Sequence, residues 1–179
     1  MSRGVLARLT QVVTTSTYSS CGVDQNTPDW HLAQRFSPLR LAEGFAASGD
    51  PSKAERFEVA SMLTIIPGDD VEQCADLMRP FVALYAGGMG AKDANFHFDV
   101  FARMGWEGVA TQVQELYLQG KKQEAAALVP VEMVEDVALI GPIDKIRDDL
   151  ARWRETCLTT VLLNGRADQL AMLADLVNG

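Results

Sequence analysis

Gly87-Gly88-Met89-Gly90 stands between two apolar runs in the stretch "FVALYAGGMGAKDANFHFDVF". A glycine-rich turn of this kind can do chemistry, because its backbone amides can cradle a phosphate. A phosphate loop follows a strand and opens a helix. These glycines follow a helical run instead, without a Gly-x-Gly-x-x-Gly register or a Gly-Lys-Ser/Thr ending. The spacing favours a left-handed helix stop with a close helix crossing over a phosphate nest.

Four further residues carry candidate chemistry. His97, between Phe96 and Phe98, offers an imidazole that can give or take a proton near neutral pH. One imidazole without a visible partner is no catalytic set, and a packed or surface histidine is the plainer reading. Tyr85 and Met89 are candidates to line a substrate pocket, although helical spacing with Met78 and Val82 equally makes them core residues. Asn164-Gly165 follows an apolar run and reads as a ligand contact or as a plain strand-to-helix turn. Cys21, Cys74 and Cys157 lie far apart with no Cys-x-x-Cys, and His31 and His97 are the only histidines, so no metal site is expected.

The elements that must position these residues follow from periodicity. Ser37-Pro38 reads as a helix start with Leu41, Ala42 and Phe45 on its apolar face, stopped at Gly49-Asp50-Pro51. "FEVASMLTII", Phe57 to Ile66, is β-branched, apolar on nearly every residue and closed by Pro67-Gly68. It predicts a strand buried on both faces, as in a parallel sheet. Asp69-Asp70 then caps a helix with Val71, Cys74, Ala75, Met78, Val82 and Tyr85 on one side and Pro80 within it. Further helices are predicted over 95–104, 106–118, 121–129 and 130–137, punctuated by Gly105 and Gly120. Gly141-Pro142 opens another, carrying Ile143, Ile146, Leu150 and Trp153, with the charges of "DKIRDDLARWRE" on a solvated face. "CLTTVLL", Cys157 to Leu163, is a second buried strand, and a closing helix turns Leu170, Leu173 and Val177 inward.

The totals exclude some function classes. A chain of 179 residues is long enough for a single domain with its own core. The net charge of −8, with Lys and Arg scattered, disfavours nucleic acid. No apolar run reaches the ~20 residues that cross a bilayer, and sparse, odd cysteines fit a reducing cytoplasm. Residues 1–23 carry Arg3 and Arg8, many Ser and Thr and no acid, the composition of an organellar transit peptide and equally of a poorly ordered leader.

With the elements placed, "RPFVALYAGGMGAKDANFHFDVFARMGWEGVATQVQELYLQGKKQEAAALVP" and "ALIGPIDKIRDDLARWRETCLTTVLLNG" resemble the C-terminal part of the luciferase-like monooxygenases. The nearest branch is the oxidoreductases that use the deazaflavin coenzyme F-420. The resemblance runs from about Ser37 to Val177 and leaves 1–36 as an unmatched leader ahead of a domain at 37–179. It implies a (β/α)8 barrel, with Phe57–Ile66 and Leu158–Leu163 as its last two strands and a helical insertion at about 70–137 between them. Such a barrel typically takes ~250 residues. The expectation is therefore an α/β, incomplete TIM-barrel fragment of about two parallel strands.

The resemblance also implies an enzyme that moves a hydride between the deazaflavin, or alternatively FMN, and a small organic substrate, or acts as a monooxygenase. It assigns no catalytic or coenzyme-binding residue here, and Tyr85, Met89, His97 and Asn164 remain candidates for a substrate pocket. The phosphate loops of the family come from earlier strands without counterparts here, so coenzyme binding and turnover by this chain alone are not expected. The competing reading is a non-catalytic remnant or partner subunit that pairs with itself or with a complementing chain through open strand edges. On either reading Val59, Leu63, Val161 and Leu163 are expected to face water or a partner.

Overall fold

The computed structural model describes residues 6–8, 41–50, 52–91, 94–154, 158–164 and 167–179. The expected cap at Ser37-Pro38, together with His31, Cys21, Cys157 and Gly165, lies outside the described residues. The chain divides into two compact units, one containing Ile66–Ile143 and the other built from the flanking segments.

The flanking unit is a parallel sheet with helices. Residues 41–47 are helical (α1), followed by a short helix α2 at Lys53–Arg56. Phe57 caps α2 by donating its amide to the Lys53 carbonyl, and its ring meets Phe45 edge-on at 5.4 Å. That cap delays the strand: β2 spans Ala60–Pro67 rather than starting at Phe57. A strand at Thr160–Asn164, β4, pairs with it in parallel, Leu63 opposite Leu163. The two expected strands are thus neighbours and parallel.

A third strand was not foreseen. Leu6–Arg8 (β1), within the supposed leader, pairs in parallel with the other side of β4. Three residues are too few for periodicity to declare a strand.

Sheet burial also departs from expectation. Leu63 and Ile65 are buried in β2 and Val59 just before it, as are Val161 and Leu163 in β4. Ala60 is exposed, and Met62 is 41% exposed on the opposite parity. One face of β2 is covered and the other open, so the strand is not buried on both faces. The side chains expected to meet water or a partner are instead the covered ones, because strand parity sends alternate residues to opposite faces. Helix α9, Ala167–Asn178, packs on β1 and β4 and buries Leu173, Leu176 and Val177, while α8, Ile143–Arg154, buries Ile146 and Leu150. Along α8, Lys145 pairs with Asp149 at 2.7 Å and Arg147 with Asp144 at 3.0 Å, as its charge pattern predicts.

The second unit is the helical insertion. Its central helix α3, Val71–Gly88, packs against α4 (Phe96–Phe101), α5 (Glu107–Leu118), α6 (Lys122–Ala127) and α7 (Val131–Glu135). Cys74, Ala75, Met78, Val82, Ala83 and Ala86 of α3 join Phe101, Ala110, Val113, Met133 and Val134 in one core. Each large side chain buried this way stabilises by ~1.5–3 kcal/mol. Arg79, mostly buried, fastens α3 to the α6–α7 connection by donating from Nε to the Val129 carbonyl at 2.8 Å. Its other guanidinium nitrogens reach Asp76 and Glu72.

After α7 comes β3, Ala138–Gly141, all buried and unpredicted, because four apolar residues between two helices carry no period. Gly68, just past β2, donates its amide to the Gly141 carbonyl at 2.9 Å.

Candidate functional site

The glycine run and the start of α4 form the part of the insertion richest in candidate residues. Helix α3 begins at Asp70, whose Oδ1 accepts from the amides of Glu72 at 2.9 Å and Gln73 at 3.3 Å. It continues through Pro80 and through both Gly87 and Gly88, neither of which has positive φ. The expected left-handed stop is therefore absent at these two residues, and the expected close crossing is present. A Cβ on Gly87 would lie 2.7 Å from Tyr117 Cβ and 3.2 Å from Gln114 Cα, and one on Gly88 would lie 2.3 Å from Tyr117 Cε1. The glycines are small because α5 passes against them. Gly105 and Gly120 do take positive φ and separate the helices as expected.

One side chain closes the turn. Asn95 is 3% exposed; its Nδ2 donates to the carbonyls of Tyr85 at 3.1 Å and Ala86 at 2.9 Å. Its Oδ1 accepts from the amides of His97 at 3.1 Å and Phe98 at 3.2 Å. Asn95 thus serves unpaired carbonyls in the last turn of α3 and unpaired amides in the first turn of α4. Sequence reasoning placed a helix start here but gave Asn95 no part in the site; Asn directly before the apolar-periodic Phe96 was the signal.

The clasp brings Tyr85 and His97 together. Their rings meet edge-on at 4.6 Å, Phe81 lies 4.3 Å from Tyr85, and Phe96 lies 5.5 Å from His97. Phe81 is 48% exposed and Phe96 41%, while Tyr85 packs against the insertion's core, so the cluster is an aromatic surface at the margin of that core. His97 is half-buried, and desolvation lowers its pKa below the ordinary imidazole value, which leaves it neutral at pH 7. A neutral imidazole offers one donor and one acceptor to a ligand. Met89 caps the end of α3 and is 47% exposed, neither core nor part of the ring contacts. Asn164 ends β4 opposite Thr64, in the other unit.

Beyond Gly105, Trp106 donates from Nε1 to Asp136 Oδ2 at 2.7 Å, which ties the start of α5 to the end of α7. Gln114 is buried near the Gly87 crossing, and its Nε2 has no hydrogen-bond partner among the described residues. Among the described residues no group of three or more His, Cys, Asp or Glu could hold a metal ion, and no helix is long and apolar enough to cross a membrane.

Parallel strands followed by helices, with a helical insertion between β2 and β4, match part of a barrel-like α/β fold. The family model of the luciferase-like monooxygenases matches residues 31–160, and the chain belongs to that family. It is similar to a putative coenzyme F-420-dependent oxidoreductase of Mycobacterium tuberculosis, 40% identical over 138 residues that cover 76% of this chain and 40% of that protein. Its fold is similar to that of the coenzyme F-420-dependent tetrahydromethanopterin reductase of Methanopyrus kandleri, with a TM-score of 0.61 at 18% identity, covering 83% of this chain and 41% of that one. The chain spans about two fifths of the length of each.

Neither the Gly90 turn nor the start of α3 fits the phosphate-bearing tail of such a coenzyme. A Cβ on Gly90 would lie 2.6 Å from the Ala94 carbonyl oxygen, so this chain's own backbone fills the turn. At the start of α3, where helix amides can hold an anion, Asp70 already accepts from those of Glu72 and Gln73 and Asp69 adds a second negative charge.

Proposed function

We propose that this chain works within a luciferase-like oxidoreductase that moves a hydride between deazaflavin coenzyme F-420 and a small organic substrate. The observation that carries the proposal is the 40% identity to the putative coenzyme F-420-dependent oxidoreductase over 138 residues. The coenzyme supplies the hydride chemistry, and its phosphates are held away from the Gly90 turn and the start of α3. FMN would serve in its place if the chain followed the oxygen-activating side of the family.

This chain's part is to bind and orient the substrate. Phe81, Tyr85 and Phe96 offer an aromatic surface to a planar or apolar group, and His97, uncharged at pH 7, gives or takes one hydrogen bond at its edge. Asn95 holds these rings in register by fixing the backbone of both helices that carry them. The test is fluorescence titration of coenzyme F-420, with FMN in parallel, against the chain mixed with the remaining β/α units of the Mycobacterium tuberculosis relative. Saturable binding of F-420 but not FMN supports the reading; no binding of either by the mixture rejects it.

Exposed Ala60 and Met62 on the open parity of β2 favour a second reading, a subunit that pairs with another chain over that sheet face. On that reading Met62→Glu abolishes pairing with the complementing units and leaves the helical unit intact by circular dichroism. Unchanged pairing by Met62→Glu would exclude it.

A further inference from the structure

The side of β4 facing away from β2 has the geometry to accept a parallel strand. In a parallel ladder one residue directs both its amide and its carbonyl to the same neighbour, and successive residues alternate between neighbours. Thr160 donates its amide to the Val59 carbonyl, at the start of β2, at 3.2 Å. Leu162 therefore also faces β2, and Val161 and Leu163 direct their amides to the opposite side.

That side is occupied by Leu6–Arg8, in the register Leu6 to Thr160, Ala7 to Val161 and Arg8 to Leu162. The ladder places the Leu6 carbonyl to receive the Val161 amide and the Arg8 amide to reach the Val161 carbonyl. Helix α9 packs on both strands, so β1 shares the backing that β4 has. The residues whose amides it meets, Val161 and Leu163, are buried, where an amide without an acceptor is strongly disfavoured. A three-residue strand is the short kind that proteins place where a longer bare edge would pair with a neighbour.

We propose that the outer edge of β4 is a strand-docking surface and that Leu6–Arg8 is its resident occupant, which keeps a second copy of this chain from pairing there. The inference concerns the sheet alone and does not depend on the oxidoreductase reading.

Arg8→Pro in the full chain tests it, because proline removes the amide that faces Val161 while Arg8→Ala keeps it. Amide exchange is read at Val161, Leu163 and Leu162, and size by light scattering. In Arg8→Pro, protection at Val161 and Leu163 should fall at least tenfold while Leu162 keeps its own, and the variant should dimerise at concentrations where wild type and Arg8→Ala are monomeric. Unchanged protection at Val161 and Leu163 overturns the pairing. Loss at all three amides together overturns it too, since β1 would then be part of the sheet's core. Selective loss without dimerisation, or a wild type that associates as strongly as the variant, removes the guarding role.

Discussion

Replacing Asn95 by alanine removes four hydrogen bonds from a residue that is 3% exposed. Loss of the acceptor that caps α4 costs ~1 kcal/mol. Loss of Nδ2 leaves the Tyr85 and Ala86 carbonyls short of a donor in a largely dry turn, at ~1–3 kcal/mol. Together the loss is ~2–4 kcal/mol. With a urea dependence of ~2 kcal/mol/M, within the usual range, the midpoint should fall by about 1–2 M at unchanged slope. Urea unfolding followed by far-ultraviolet circular dichroism measures this. Asn95→Ser keeps an N-capping oxygen without the amide donor, so it should recover ~1 kcal/mol and no more. An alanine variant within ~0.5 kcal/mol of wild type, or a serine variant equal to it, would refute the clasp.

Gly87→Ala should destabilise by ~1–3 kcal/mol in spite of better helix propensity, because its Cβ would press on the Gln114 backbone and on Tyr117 Cβ. Gly88→Ala meets the Tyr117 ring instead, so Tyr117→Ala should rescue Gly88→Ala and leave Gly87→Ala unrescued; a double-mutant cycle additive within ~0.5 kcal/mol for both pairs would contradict this. Burial lowers the pKa of His97 in the folded chain, so the unfolded chain takes up the proton first as pH falls. Its contribution to stability is full above the ordinary imidazole pKa of ~6.5 and declines below it. His97→Gln should therefore flatten the pH dependence of the urea midpoint between pH 7.5 and 5.5, and an identical slope in both proteins would count against the burial argument. Gln114→Met should be neutral or stabilise by ~1 kcal/mol, since it removes an unpartnered buried amide; a loss above ~1 kcal/mol, read by the same unfolding curves, would mean that Nε2 has a partner.

The longer elements were legible because their patterns are long. Met78 and Val82 of α3, and Ile146 and Leu150 of α8, repeat at helical spacing and are buried as that spacing predicts. Leu63 and Leu163 sit in β-branched apolar runs that became paired strands. Leu6–Arg8 and Ala138–Gly141 were missed because three or four residues carry no period, and a neighbouring strand decides their state. Composition made β2 read as buried on both faces, whereas burial depends on what covers each parity, which Met62 and Leu63 cannot announce by themselves. At Gly87-Gly88 the sequence signalled a need for small residues without saying whether φ or the ring of Tyr117 created it. Tyr85 and His97 were each singled out from sequence. Their contact was not foreseen, because it depends on Asn95 turning the chain between them.

The most direct test of the proposed role is coenzyme F-420 fluorescence titrated first with this chain alone and then with the chain plus the remaining β/α units of the Mycobacterium tuberculosis relative. The Gly90 turn is filled by the chain's own backbone and the first amides of α3 by Asp70, so the chain alone should give no saturable quenching at micromolar concentration. The mixture should bind, and His97→Ala in it should leave coenzyme affinity unchanged. Micromolar binding by the chain alone would contradict the phosphate argument, and no binding by the mixture would contradict the oxidoreductase role itself.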